Sequence, residues 1–225
     1  MRFNVTEIRN GRILGILHRP EVTTGPALIL THGTTSNSRA PLLQGIAKVC
    51  ASRGLVVLCC DLPRTQDPGY TDDLEGEADD RAILAEAADW MRTLSLGQVI
   101  VGGQSYGARQ SSLLAASVAD CVDALLLLAY PLRPPSLPGV VRIDHLTDIH
   151  VPTLFLHGTR DRYGSVAQIQ AAAALIPAPT AVIAVEGAQH NIQVGAVEVV
   201  ADILVPLGTL FRRANMPGLI GAAVT

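Results

Sequence analysis

The sequence predicts an α/β protein with a mostly parallel, doubly wound sheet of about eight strands that opens on an antiparallel hairpin. Three observations carry this. Short apolar runs alternate with longer helix-patterned stretches from residue 27 onward. The runs are continuous, as in Leu125-Leu126-Leu127-Leu128, which is how strands read when helices cover both faces of a sheet. One run, ending at Gly102, passes through a glycine-flanked serine directly into a helical pattern.

Residues 2–9 and 12–18 read as strands joined at Asn10-Gly11, a dipeptide that favours a type I′ hairpin turn. Further strands are expected at 27–31, 55–60, 99–102, 124–129, 153–158 and 181–185. Helices are expected at 40–52, 74–94, 105–118, 165–176 and 194–212. The last of these carries Val194, Val197, Val200, Ile203, Leu204, Leu207 and Leu210 near helical spacing. It either covers the sheet and positions the loop before it, or forms a dimer contact. Between 130 and 152, Pro131, Pro134, Pro135 and Pro138 discourage helix, so an irregular crossing without a cap domain is expected. The tail 214–225, rich in Gly, Ala and Pro, is expected to be mobile.

With 225 residues, 48% of them hydrophobic and 16% charged, the chain suits one domain spanning 1–225 with a sizeable core. A net charge of −3 without a basic run argues against nucleic acid as a partner. No stretch has the length of a signal peptide or membrane span, so a cytoplasmic protein that neither spans nor anchors to membrane is expected, as a monomer or homodimer. Cys50, Cys59, Cys60 and Cys121 lie in or beside apolar segments without zinc spacing. Buried free thiols are therefore expected rather than disulfides or metal ligands.

The chemistry centres on Gly103-Gln104-Ser105-Tyr106-Gly107. A serine at the apex of a sharp strand-to-helix turn needs strained backbone and close neighbouring chain, which is why small residues flank it. Its hydroxyl is a poor nucleophile at neutral pH and needs a base and a group that orients the base. In an open α/β sheet the partners should lie beyond the carboxyl ends of strands. Asp161 follows the strand at 153–158, and His190 follows the one at 181–185. Asp161 also suits a loop or N-cap carboxylate before the next helix. Among its rivals, Asp61 follows an earlier strand, whereas Asp144 and Asp148 precede one and fall at the wrong end. His18 lies in the hairpin, His145 and His150 precede a strand, and His157 lies within one. Only His190 of the six histidines follows the last strand.

Oxyanion donors are expected from the backbone N–H of Tyr106 and from Thr34, in the loop Thr31-His32-Gly33-Thr34-Thr35-Ser36 after the first parallel strand. His32 reads as a structural loop residue. Arg64, Arg133, Arg160 and Arg162 fall in strand-end loops, where solvated surface arginines are the simpler reading and attraction of a carboxylate the other. Arg109, one turn beyond Ser105, suits packing or a salt bridge. Tyr130 and Tyr163 are candidates to line the cleft by loop position.

Four segments resemble those of the lid-less α/β-hydrolases around dienelactone hydrolase: Thr31-His32-Gly33, the run from Gly102 to Arg109, Tyr130-Pro131-Leu132-Arg133-Pro134-Pro135, and the run from Val151 to Asp161. The likeness is closer still to the testis-expressed α/β-hydrolase-like family. It implies the α/β-hydrolase fold, with Ser105 as nucleophile, Asp161 as acid and His190 as base. Dienelactone hydrolase carries cysteine at this elbow, and the closer family commonly has Ser-Met and a glycine pair where this chain has Ser105-Tyr106-Gly107-Ala108. The change would set Tyr106 at the mouth of the site. The reading is a serine hydrolase of carboxylic esters or related small acyl substrates, carboxylesterase-like, with no metal or organic cofactor. The second reading is a non-catalytic hydrolase-fold protein acting as an interaction module, as some members of that family act in complexes.

Overall fold

The computed structural model describes residues 1–63, 74–134, 137 and 139–192, with 74–76 as backbone alone. The expected helix at 194–212, the tail at 214–225, Arg64, Pro135 and Pro138 lie outside the described residues.

Hairpin strands β1 (Phe3–Asn10) and β2 (Ile13–Pro20) pair antiparallel with Asn10 opposite Ile13, so Gly11 and Arg12 make the turn rather than Asn10 and Gly11. Gly11 alone takes a positive φ, +58°, where the expected type I′ turn needs two. Next come β3 (Ala27–Thr31), α1 (Pro41–Ser52), β4 (Val56–Cys60), α2 (Leu74–Leu94), β5 (Val99–Gln104) and α3 (Tyr106–Ser117). The described elements end with β6 (Ala124–Leu128), β7 (Thr153–Gly158), α4 (Val166–Ala173) and β8 (Thr180–Val185). All eight strands form one sheet in the order β1-β2-β4-β3-β5-β6-β7-β8. Strands β3 to β8 run parallel, and β2 joins them antiparallel through β4.

Alternate residues of each strand serve opposite faces. Ala27, Ile29, Leu125 and Leu127 pack with Leu84, Ala87 and Met91 of α2 and Leu114 of α3. Leu28, Leu30, Leu126 and Leu128 pack with Leu43, Ile46 and Ala47 of α1. Both faces are thus buried, and the central strands are apolar for that reason apart from Thr31, whose hydroxyl donates to Gly102 O (3.0 Å). Cys50, Cys59 and Cys60 belong to this interior, and all four cysteines are free. Burial pushes the Cys50 and Cys59 thiols up to about 12, which leaves them protonated and inert.

Helix α4 ends at Ala173, three residues short of the expected 176. Leu175 and Ile176 bond to Ala172 and Ala173 as turns, and Pro177 has no N–H to continue a helix. Its start matches expectation, with Ser165 and Gln168 forming a reciprocal capping box. Between β6 and β7 the only regular element among the described residues is a 3-10 turn, Leu146–Asp148, and no cap domain is evident there.

The chain passes from β3 to β4 on one side, then returns to place β5 on the other side of β3. This reversal opens a crevice beyond the carboxyl ends of β3 and β5. The loops that bound it begin at His32 and at Ser105.

Candidate active site

Ser105 sits at φ +53° and ψ −109°, a conformation that costs a non-glycine residue on the order of 1–3 kcal/mol. The surroundings hold it there. Ser105 N–H donates to Leu128 O (2.9 Å), and Gly107 N–H donates to His32 O (3.1 Å). A Cβ on Gly103 or Gly107 would collide with Thr31, so side-chain-free positions are needed on both sides of the serine. The result is an elbow that lifts the serine hydroxyl above the sheet edge.

The loop after β7 carries Asp161 and the loop after β8 carries His190, and the two are zipped together. Thr159 N–H donates to Val185 O (3.0 Å), Arg160 N–H to Ala188 O (2.9 Å), and Gly187 N–H to the Thr159 hydroxyl (2.9 Å). Ser105 Oγ lies 2.8 Å from His190 Nε2, and His190 Nδ1 lies 2.8 Å from Asp161 Oδ2. The Asp161 side chain is fully buried, and its Oδ1 accepts from Tyr163 N–H (2.8 Å). Because a carboxylate only accepts, Nδ1 of His190 carries the proton, and the Nε2 lone pair faces the serine hydroxyl. The three residues singled out in the sequence therefore come together in one hydrogen-bonded line.

The loop after β3 closes the other side. A Cβ on Gly33 would come within 3.5 Å of Ser105 Cβ, so Thr34 is carried beside the serine, and both residues line the cleft. Asp61 holds this loop rather than the histidine: its carboxylate accepts from Ser38 N–H (2.6 Å) and Ser38 Oγ (3.0 Å). His32 is buried, its Nδ1 donating to Gly33 O (3.0 Å) and its Nε2 accepting from Leu62 N–H (3.0 Å). Burial keeps it below the ordinary histidine range and therefore neutral.

The cleft above Ser105 has a volume of about 1210 Å³. Leu42, Ile46 and Ile192 give it an apolar wall, and Arg160, Arg162 and Gln189 contribute its polar side. The α1 residues were not legible as cleft wall, because their apolar spacing serves core and cleft alike. Arg133 is exposed, and its N–H donates to Tyr163 O (2.7 Å).

Two aromatic expectations are corrected. Tyr106 does not narrow the mouth: it is buried in the core, and its hydroxyl donates to Asp80 of α2 (2.8 Å). It is the first residue of α3, so the helical phase turns its side chain away from the serine. Tyr130 does not line the cleft either. It is fully buried edge-on to Phe155, with its hydroxyl on Arg142 O (2.9 Å). Tyr163 does line it. Arg109 forms an ion pair with Glu77 (2.7 Å), in keeping with a packing role.

A second serine–histidine contact lies about two turns along α3. Ser112 Oγ is 2.9 Å from His145 Nε2, but the serine donates its own hydrogen to Arg109 O (2.8 Å). Nε2 of His145 must therefore be the donor, which leaves no base for Ser112. Among the described residues, no group of three or more His, Cys, Asp or Glu side chains could hold a metal ion. No described helix is long and apolar enough to cross a membrane.

Residues 24–198 match the alpha/beta hydrolase domain family. The chain belongs to that family. Among solved structures, the dienelactone hydrolase from Anabaena variabilis superposes with a TM-score of 0.70 at 20% identity, covering 94% of this chain and 97% of that one. Est1E from Butyrivibrio proteoclasticus gives 0.72 at 16% identity, covering 92% and 99%. An alpha-beta serine hydrolase homologue from Coxiella burnetii gives 0.65 at 18% identity, covering 95% and 98%. These likenesses show the shared fold.

Proposed function

We propose that this alpha/beta hydrolase is a serine hydrolase of carboxylic esters or related small acyl compounds. The observation that carries the reading is the line from Ser105 through His190 to Asp161, two contacts of 2.8 Å at the floor of an open cleft. In this reading Ser105 Oγ attacks the acyl carbonyl as Nε2 of His190 takes its proton, and the imidazolium returns that proton to the departing alcohol. Water, deprotonated by the same nitrogen, then releases the acid from Ser105. Asp161 holds the imidazole in the tautomer the step needs and stabilises the cation that forms. The backbone N–H groups of Thr34 and Tyr106 stabilise the oxyanion, each worth ~2.7–4 kcal/mol in such sites.

An acyl chain would lie along Leu42, Ile46 and Ile192, with the leaving group toward the polar side. The absence of a cap among the described residues suits small or surface-presented substrates. The name dienelactone hydrolase, and the ferulic acid bound to Est1E in another structure, support this substrate class. The test is turnover of p-nitrophenyl acetate. Wild type should hydrolyse it, and Ser105→Ala, with an unchanged circular dichroism spectrum, should not. Equal activity in the two would refute the assignment.

A further inference from the structure

Tyr163 touches the relay at two points. Its backbone N–H donates to Asp161 Oδ1 (2.8 Å), and its ring stacks on the His190 imidazole, centroids 3.8 Å apart and planes 21° from parallel. The backbone that carries the ring is itself fixed. Tyr163 O accepts from Arg133 N–H (2.7 Å), and the next carbonyl, Gly164 O, accepts from Nε2 of the buried His157 (2.8 Å). The Arg162 guanidinium lies over the ring, 5.4 Å from the centroid.

We propose that Tyr163 is a positioning residue of the relay: its ring clamps the face of His190 and keeps the imidazole in the plane that joins Ser105 to Asp161. The proposal rests on the serine-hydrolase reading.

The physical case begins with what an uncovered imidazole can do. His190 follows β8 in a half-buried loop, attached by two rotatable bonds and held by one hydrogen bond at each nitrogen. Rotation about its outer bond would replace both nitrogens with carbons and break the line. A flat ring at stacking distance opposes that rotation sterically, whichever hydrogen bond has momentarily lengthened. The clamp also acts when the histidine is charged. The π face of tyrosine attracts a cation laid against it, so the ring stays in place as the proton arrives from Ser105. Asp161 faces the same imidazole in its plane at Nδ1, so carboxylate and tyrosine constrain it from perpendicular directions. One residue thereby orients both members of the acid–base pair, the acid through its N–H and the base through its ring.

The shape of the ring, rather than its hydroxyl, is what the role requires. Tyr163→Phe and Tyr163→Leu separate the two. With p-nitrophenyl acetate, Phe should keep kcat within about twofold, and Leu should lower kcat about tenfold or more with KM little changed, as a misaligned reacting group does. A spectroscopic readout does not depend on activity. The His190 ring protons should be shifted upfield in the NMR spectrum by the neighbouring aromatic ring in wild type and in Phe, and should return to ordinary positions in Leu.

Ordinary His190 shifts in wild type would overturn the proposal even if the Leu variant failed to fold. So would full kcat in a folded Leu variant, or a Phe variant as impaired as Leu. Wild type that neither turns over ester nor reacts with a fluorophosphonate would overturn the parent reading, and the proposal with it. An active, labelled wild type with an unaffected Leu variant would overturn the Tyr163 role alone.

Discussion

The described residues hold two serine–histidine pairs of nearly equal length, one at the N-cap of helix α3 and one about two turns along it. Ser105 and His190 are 2.8 Å apart; Ser112 and His145 are 2.9 Å apart. Distance does not separate them, but three other things do. The far nitrogen of His190 is held by a buried carboxylate, whereas His145 has no such partner among the described hydrogen bonds. The Ser105 hydroxyl is raised on a strained elbow into a cleft, while Ser112 is fully buried and gives its hydrogen to a helix carbonyl. His145, packed beside Arg109, has its pKa lowered to about 4 by burial first and by that cation second, so near neutrality it is a neutral, weak base whose single ring proton, on Nε2, faces Ser112. A nucleophile is thus defined by where its proton can go, and a serine whose hydrogen is already committed is a structural group.

The largest test of this contrast is to remove each hydroxyl in turn. Ser105→Ala should lower esterase kcat by at least ~10³-fold, and Ser112→Ala should leave it within about twofold. A large loss in the second variant would erase the distinction. Next, Asp161→Asn should lower kcat by ~10³–10⁴-fold with the fold intact, because the amide permits the wrong histidine tautomer; retention of full rate would remove the carboxylate from the account.

Smaller effects belong to the structural pair. Urea unfolding should find Ser112→Ala destabilised by about 1–3 kcal/mol, since the buried donor of His145 loses its acceptor. The histidine should also make stability depend on pH. Its folded pKa lies below its unfolded value, so the unfolded chain takes the proton first. The contribution is complete above the ordinary histidine pKa of about 6.5, declines as pH falls, and is exhausted near 4. Because the group is partly exposed, on the order of 1–2 kcal/mol should be lost across that window. His145→Gln should flatten the dependence between pH 7 and pH 4.5 by that amount; an unchanged slope would mean His145 titrates normally.

Much of this was legible in the residues. Leu125 to Leu128 read as a doubly buried strand because both its faces are covered, and the order Ser105, Asp161, His190 follows from three loops at one sheet edge. The directions of Tyr106 and Tyr130 were not legible. Tyr106 adjoins the serine in sequence, yet helical phase sends its hydroxyl to Asp80, a partner in another element. Tyr130 lies in a loop beyond a strand, where sequence suggests exposure, but the returning chain at Arg142 covers it. Both depend on packing between distant segments. The Ser112–His145 contact was hidden for the same reason, since nothing local to either residue announces the other.

The central claim is that Ser105, alone of the two paired serines, is an activated nucleophile. The most direct measurement is to treat the folded protein with a fluorophosphonate and locate the adduct by peptide mass spectrometry. The account predicts one modification, on Ser105, lost in Ser105→Ala and strongly slowed in Asp161→Asn. No adduct in folded protein, or an adduct on Ser112, would contradict it.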